Sequence, residues 1–218
     1  MGNIRRFDLA RIIKHYKVRN FVETGTFHGD AVQYAMNFPF KRIWSVEIVP
    51  ELAAECRERF HEIKNVTIVC GDSVASLKEY IPGLEGGAVY WLDAHFPGAD
   101  AGLTSYESED EDLRLPLALE LYTISESRDT SNDVFILDDL RIYEEGKYEK
   151  GNVPPDASPA GKRNIDFVLE IFGRTHKIIR SYVDEGYLVL LPKQKYFWKH
   201  FSFQWLAGKA VKEDPYMI

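Results

Sequence analysis

Acidic residues stand at the ends of apolar runs in this chain, and glycine or another polar side chain often follows them. The first is "FVETGTFHGD", residues 21–30, where Glu23 precedes Gly25 and Gly29. The second is "WSVEI", with Glu47 followed by Ile48. The third is "VTIVCGDS", with Asp72 and Ser73; the fourth is "YWLDAHF", with Asp93 and His95; the fifth is "VFILDDL", with Asp138 and Asp139. Glycines after an apolar run let the backbone turn sharply and approach another group closely. A dinucleotide fold places G-x-G-x-x-G there, so that pyrophosphate meets a helix N-terminus. This chain has no such triplet, and the Glu23 carboxylate has the wrong sign for a phosphate. It suits a ligand that carries positive charge.

These residues need strand ends to hold them, and the chain supplies them in order. "NFVETG", "RIWSVEI", "VTIVC", "AVYWLD" and "DVFILDD" read as strands. Between them "DAVQYAMNF", "PELAAECRERFHEI" with Pro50 in its first turn, "VASLKEYI" and "LRLPLALELYTI" read as helices, and "NIDFVLEIF" follows the fifth strand. An amphipathic helix, "FDLARIIKHY", with Asp8 as its cap, precedes them all. Five β-α units in succession predict an α/β, doubly wound, mostly parallel sheet whose strands are apolar on both faces. "HKIIRSY" and "GYLVLL" are separated only by "VDE", too short for a parallel crossover, so they predict an antiparallel hairpin that completes seven strands. The expected organisation is one domain over 1–218: an N-terminal helix in 1–19, a core over 20–193, and an aromatic-rich tail over 194–218. A seven-stranded sheet of this kind is characteristic of the class I methyltransferase fold.

Open α/β sheets bind ligands at the carboxyl ends of their strands. In that position Glu47 is placed to accept both hydroxyls of a ribose, Ile48 to pack on an adenine, and Asp72 or Ser73 to bond its amine. With Glu23 before a turn formed by Gly25, Thr26, Phe27 and Gly29, the expected ligand is S-adenosylmethionine, which carries an ammonium and a sulfonium and no phosphate. Each residue has a plainer reading as well: Asp72 and Ser73 make a good helix cap, and Glu47 alone reads as a loop acid.

"ETGTFHG" has the pattern E-x-G-x-aromatic-x-G and resembles the first motif of catechol and caffeoyl-CoA type O-methyltransferases, and "SVEIVPELAAECRERF" is similar to their second motif. "ETG" and "ILDD" also resemble macrocin-type sugar O-methyltransferases. The likeness runs roughly from Asn20 to Tyr143. It implies that Glu23, Gly25, Glu47, Ile48 and Ser73 line a cofactor site, with Asp72 a looser correspondence. It also implies that Asp93, Asp138 and Asp139, at the ends of neighbouring strands, hold a divalent cation such as Mg²⁺, which favours oxygen ligands. Such a cation would lower the pKa of an acceptor hydroxyl. The catechol enzymes carry a lysine base three residues after the first acid; Phe96 stands there in this chain. His95 is then the candidate base, with a metal ligand or an ordinary loop histidine as its other readings. Without a metal, Asp93 would touch only the cofactor and Asp138 would cap a turn.

Composition narrows the remaining classes. The chain has 218 residues, 45% hydrophobic and 28% charged, and a net charge of −7. This argues against a nucleic-acid backbone as the main partner. No apolar run approaches a membrane span, and the N-terminus lacks an apolar signal region, so a cytoplasmic location without a membrane partner is expected. Cys56 and Cys70 read as reduced core thiols. Two long segments, "FPGADAGLTSYESEDED" and "RIYEEGKYEKGNVPPDASPAGKR", leave strands four and five and are expected to close over a small-molecule acceptor. The acidic "ESEDED" reads as a solvated edge. The tail "KYFWKHFSFQWL" reads as packed structure, a homodimer contact or a pocket wall. A nucleotide-binding oxidoreductase, a non-catalytic S-adenosylmethionine-binding module and a metal-dependent hydrolase or hydroxylase-like enzyme are the rival readings.

Overall fold

The computed structural model describes residues 3–96, 111–154 and 163–193. Residues 107–110 of "ESEDED" and the aromatic tail lie outside them, while its last two residues, Glu111 and Asp112, begin a short helix. The strands are β1 (Asn20–Thr24), β2 (Arg42–Glu47), β3 (Val66–Cys70), β4 (Ala88–Leu92), β5 (Val134–Leu137), β6 (His176–Ser181) and β7 (Tyr187–Pro192). They form one seven-stranded sheet in the order β3-β2-β1-β4-β5-β7-β6. β1 to β5 are parallel; β7 runs antiparallel to both β5 and β6. The expected hairpin is present, with Ser181 opposite Tyr187, and it turns through Asp184 (φ 53°) and Gly186 (φ 90°).

Seven α-helices are described: α1 (Leu9–Tyr16), α2 (Asp30–Ala35), α3 (Pro50–Phe60), α4 (Ser73–Tyr80), α5 (Glu111–Arg114), α6 (Leu117–Ser127) and α7 (Asp166–Phe172). Their ends follow local chemistry. Asp8 accepts from Arg11 N at 3.0 Å and caps α1; Asp72 accepts from Ala75 N at 2.8 Å and caps α4. The single helix expected over "LRLPLALELYTI" is instead two, α5 and α6, divided at Leu115–Pro116. Proline lacks the N–H that a continuous helix needs and crowds the preceding turn. None of the described helices is long and apolar enough to cross a membrane.

Strand periodicity divides the core between the two faces of the sheet. Phe21, Val89 and Ile136 pack with α1, α2 and α3 on one face; Val22, Tyr90 and Phe135 pack with α4, α6 and α7 on the other. Tyr90 and Phe135 stack with ring centroids 4.6 Å apart. Losing a buried ring of this kind costs about 3–5 kcal/mol. β1, β4, β5 and β7 are buried along their whole length, which makes the centre of the sheet rigid. The strand ends that carry the acidic residues are therefore fixed relative to one another.

Candidate functional site

At the carboxyl ends of the parallel strands, backbone bonds continue past the strands. Asp93 N donates to Thr24 O at 3.1 Å, Asp138 N to Leu92 O at 3.1 Å, and Gly71 N to Glu47 O at 2.9 Å. Side chains that follow each strand thus emerge side by side. A cavity of about 890 Å³ opens above them, large enough for a nucleoside and a second small molecule.

β1 leads into a turn that departs from ordinary backbone at three positions: Gly25 (φ 81°), Phe27 (φ 47°) and Gly29 (φ 78°). A Cβ on Gly25 would lie 2.5 Å from the Asp93 carbonyl oxygen, so only glycine fits where the turn crosses β4. Gly29 has a different neighbour. A Cβ there would lie 2.7 Å from the Phe60 ring and 3.2 Å from Cys56 Sγ, on the side of α3. Gly29 does not line the cavity, whereas Glu23, Gly25, Thr26 and Phe27 do.

Glu47 holds this turn. Its Oε2 accepts from Phe27 N at 2.7 Å and its Oε1 from Val49 N at 2.9 Å. Each oxygen is oriented by one backbone N–H and keeps a further lone pair. Ile48, Asp72 and Ser73 line the same part of the cavity. Glu23 is buried behind the turn, accepts from Ser45 Oγ at 2.5 Å, and is linked through Ser45 to Thr26. Burial pushes the Glu23 carboxyl up to about 8, against the pull of the Ser45 hydroxyl, and the nearby Glu47 charge adds to the rise. A cation placed beside it would favour its ionised form.

Over β4 and β5 the arrangement is more closely paired. His95 Nδ1 lies 3.4 Å from Asp93 Oδ1 and its Nε2 lies 3.1 Å from Asp139 Oδ2. Asp139 sits in the left-handed region (φ 55°, ψ 48°) and its Oδ1 accepts from Arg141 Nε at 2.7 Å. Burial alone would depress His95, but the hydrogen bond and charge of Asp139 outweigh it and hold the imidazole above its usual range. Asp139 is held below the carboxylate range because His95 and Arg141 together outweigh its burial. Asp93 is raised, first by burial and then by its neighbour Asp138. Asp138 does not line the large cavity. It faces a second cavity of about 10 Å³ beneath it, together with His95 and Glu120.

The three aspartates expected to hold a cation are thus brought near one another, but among the described residues no group of three or more His, Cys, Asp or Glu side chains is arranged to hold a metal ion. Arg141 and His95 already neutralise Asp139.

Sequence reasoning passed over two residues. Arg141 carries no spacing signal, because its partner is known only once Asp139 adopts its left-handed turn. Glu120 did carry one: it shares the buried face of α6 with Leu117, Leu121 and Ile124, where a charge is out of place. Burial pushes its carboxyl up to about 7, against the pull of the Ser73 and Thr24 hydroxyls.

Solved structures share this fold. A Staphylococcus aureus protein provisionally named a caffeoyl-CoA O-methyltransferase superposes with a TM-score of 0.57 over 88% of this chain and 84% of its own, at 12% identity. The fold is that of the class I methyltransferases. The O-methyltransferase TomG from Streptomyces achromogenes, in complex with SAM, matches with a TM-score of 0.52 at 16% identity, covering 88% of this chain and 81% of its own. An O-methyltransferase from Bacillus cereus, in complex with SAH, matches with a TM-score of 0.51 at 14% identity, covering 88% and 82%. No protein-family model matches the sequence, and no curated protein does. In this chain the Glu23–Gly25 turn and Glu47 stand at the ends of β1 and β2.

Proposed function

We propose that the chain is an S-adenosylmethionine-dependent methyltransferase that acts on a hydroxyl of a small molecule. Glu47 carries this reading. Its two oxygens are each fixed by one backbone N–H, open to the same cavity, and suit the paired hydroxyls of a ribose. Glu23 and the glycine turn support it. The carboxyl is placed for a cationic ligand, and no lysine or arginine stands in the turns that directly follow β1, β2 and β3, residues 25–29, 48–49 and 71–72, to receive a phosphate. The neighbours solved with SAM and with SAH have this fold, which supports the same cofactor.

When bound, the cofactor supplies a methyl group on a sulfonium: the acceptor oxygen forms the new O–C bond with a lone pair, the S–C bonding pair returns to sulfur, and the hydroxyl proton must be taken up. His95 is the residue placed to take it in its neutral form, with Nε2–H donating to Asp139 and Nδ1 unprotonated; because Asp139 holds the imidazole above its usual range, that form gains population as pH rises. In the resting arrangement both of its nitrogens face carboxylates, and the Nδ1 contact with Asp93, at 3.4 Å, is the longer. An acceptor hydroxyl would exchange with Asp93 at Nδ1, while Asp139, held by Arg141, keeps the ring oriented through Nε2. Asp93, Asp138 and Asp139 do not fit a divalent cation as they stand, because Arg141 and His95 occupy Asp139.

The test is calorimetry with S-adenosylhomocysteine and with NAD, followed by transfer of labelled methyl from S-adenosylmethionine to a panel of hydroxyl compounds. S-Adenosylhomocysteine should bind and NAD should not. Absence of S-adenosylhomocysteine binding, or tighter binding of NAD, would remove this reading.

A further inference from the structure

Glu23 stands at the end of β1 as an acid among acids. It is buried, yet its side chain reaches the wall of the large cavity. Its neighbours across the sheet are Ser45 on β2 and Trp91 on β4, neither of them charged. The charges that act on it are Glu47, at the end of β2, and Asp30, at the start of α2, and both oppose its ionisation. It acts in turn on Asp93, which follows β4, and on the Cys56 thiol of α3, and raises both. Among the described residues, none of the groups that act on Glu23 is a cation. A bare carboxylate is unfavourable in such surroundings, and the group holds a proton instead.

A path for that proton is built into the strand ends. Ser45 Oγ lies 2.5 Å from Glu23 Oε2, and Thr26 Oγ1 lies 2.5 Å from Ser45 Oγ. Ser45 and Thr26 are buried, and Thr26 lines the cavity as Glu23 does. A hydroxyl is both donor and acceptor, so the two can reverse together. With Glu23 protonated, the carboxyl donates to Ser45, Ser45 donates to Thr26, and the Thr26 hydrogen is turned to the cavity. When Glu23 gives up its proton to Ser45, Ser45 passes its own to Thr26, and Thr26 passes its own to water. The chain is left with Thr26 donating to Ser45 and Ser45 donating to the carboxylate.

We propose that Glu23 selects a ligand that carries an ammonium by exchanging a proton for it: the carboxyl is neutral in the protein alone, and the ammonium takes the place of a proton that leaves through Ser45 and Thr26. This rests on the methyltransferase reading above, since S-adenosylmethionine and S-adenosylhomocysteine both carry the ammonium. One positive charge enters the buried layer as another leaves it, so the ion pair forms without adding net charge there. The upward shift of the carboxyl to about 8, caused first by burial, agrees with this geometry. Below that pH the free protein holds the proton, so cofactor affinity rises with pH and levels off above it. A nucleoside without an ammonium gains nothing from the exchange.

The experiment is calorimetry between pH 6 and pH 7 in two buffers of different ionisation enthalpy, which counts the protons released on binding. The range stays below about 7.7–8.0, where an α-amino group gives up its own proton. The wild type should release about one proton for each S-adenosylhomocysteine bound, and its affinity should rise about tenfold from pH 6 to pH 7. 5′-Methylthioadenosine, which keeps the nucleoside and lacks the ammonium, should bind without release. Glu23→Gln should bind S-adenosylhomocysteine without release and without the pH dependence. Ser45→Ala keeps the carboxyl and removes the hydroxyl that favours its ionised form. It should weaken S-adenosylhomocysteine about 10–100-fold at pH 7 and leave 5′-methylthioadenosine unchanged. No release from the wild type would overturn the proposal. Equal release with the two ligands, or release that persists in Glu23→Gln, would trace the proton to another group such as Asp93 and overturn it as well. Equal weakening of both ligands in Ser45→Ala would make Ser45 a support of the turn and overturn the proton path. Failure of S-adenosylhomocysteine to bind at all is a different result, and it strikes the methyltransferase reading itself.

Discussion

Arg141 and His95 hold the Asp139 carboxylate from both sides, with Arg141 Nε 2.7 Å from Oδ1 and His95 Nε2 3.1 Å from Oδ2. Asp139 is buried, so removing one partner leaves a charge poorly solvated. Arg141→Met should lower stability by about 2 kcal/mol, less than for a fully enclosed pair because Arg141 is partly exposed. It should also reduce methyl transfer more than cofactor binding, since the proposed ribose contacts lie on other strands. Urea melts, S-adenosylhomocysteine calorimetry and turnover measured together decide it. Equal losses in binding and turnover would show that Arg141 serves the whole cavity instead of His95.

Metal removal should change little. With Asp139 occupied by its two partners, the wild-type melting temperature is expected to stay the same on adding Mg²⁺ or Ca²⁺, and a chelator should leave turnover intact. In Arg141→Met the carboxylate is released, so that variant alone should gain stability from a divalent cation. A clear rise for the wild type would mean that a cation displaces Arg141.

Glu47 accepts two backbone N–H groups, so Glu47→Ala removes both the proposed ribose contact and the anchor of the turn. The loss for S-adenosylhomocysteine should be about 1.5–3 kcal/mol, the range for hydrogen bonds to a charged group. Unchanged affinity in calorimetry would place the ribose elsewhere.

The two glycines of the turn should separate by assay. Gly25→Ala drives a Cβ into the Asp93 carbonyl at 2.5 Å, and Gly29→Ala drives one into the Phe60 ring at 2.7 Å; both also force a positive φ. Each should cost about 1–3 kcal/mol in stability. Only Gly25→Ala should also weaken S-adenosylhomocysteine, because Gly29 does not line the cavity. Thermal melts paired with calorimetry test the contrast, and an equal loss of affinity in both would refute it.

Glu120 gives the pH dependence. Its carboxyl stands at about 7 in the fold against an ordinary 4.5. A raised carboxyl stabilises the fold fully below the ordinary value, and that contribution is lost as pH rises through about 7. The difference is on the order of 3 kcal/mol. Glu120→Gln lacks the titration, so relative to wild type it should gain stability between pH 5 and pH 8. Parallel denaturation curves at the two pH values would show that Glu120 does not carry the proton.

Much of this was legible in the sequence because it is local. Apolar runs of strand length, the three-residue gap before the last strand, and acids placed directly after apolar runs all report their own geometry. Gly29 shows where local reading stops. The sequence shows that glycine is required, but not that the neighbour is Phe60 instead of a ligand. The division at Pro116 was readable, and the apolar spacing on both sides of it obscured it. The seating of residues 3–6 against the last hairpin was not readable at all, since Arg6 meets Asp184 and Asn3 meets Tyr187 across most of the chain. No periodicity reports such contacts.

Those long-range contacts bear on the order of assembly. Arg6 and Asp184 are 178 residues apart in sequence, and Asn3 N meets the Tyr187 hydroxyl across 184. Contacts of such separation close late, after the entropy of a long loop has been overcome. During synthesis the turn at residues 3–6 must wait until β7 has emerged, and β7 must insert between β5 and β6 before that turn has anything to rest on. A nascent chain that stops short of β7 can pair β1 to β5 and still lack a closed cavity.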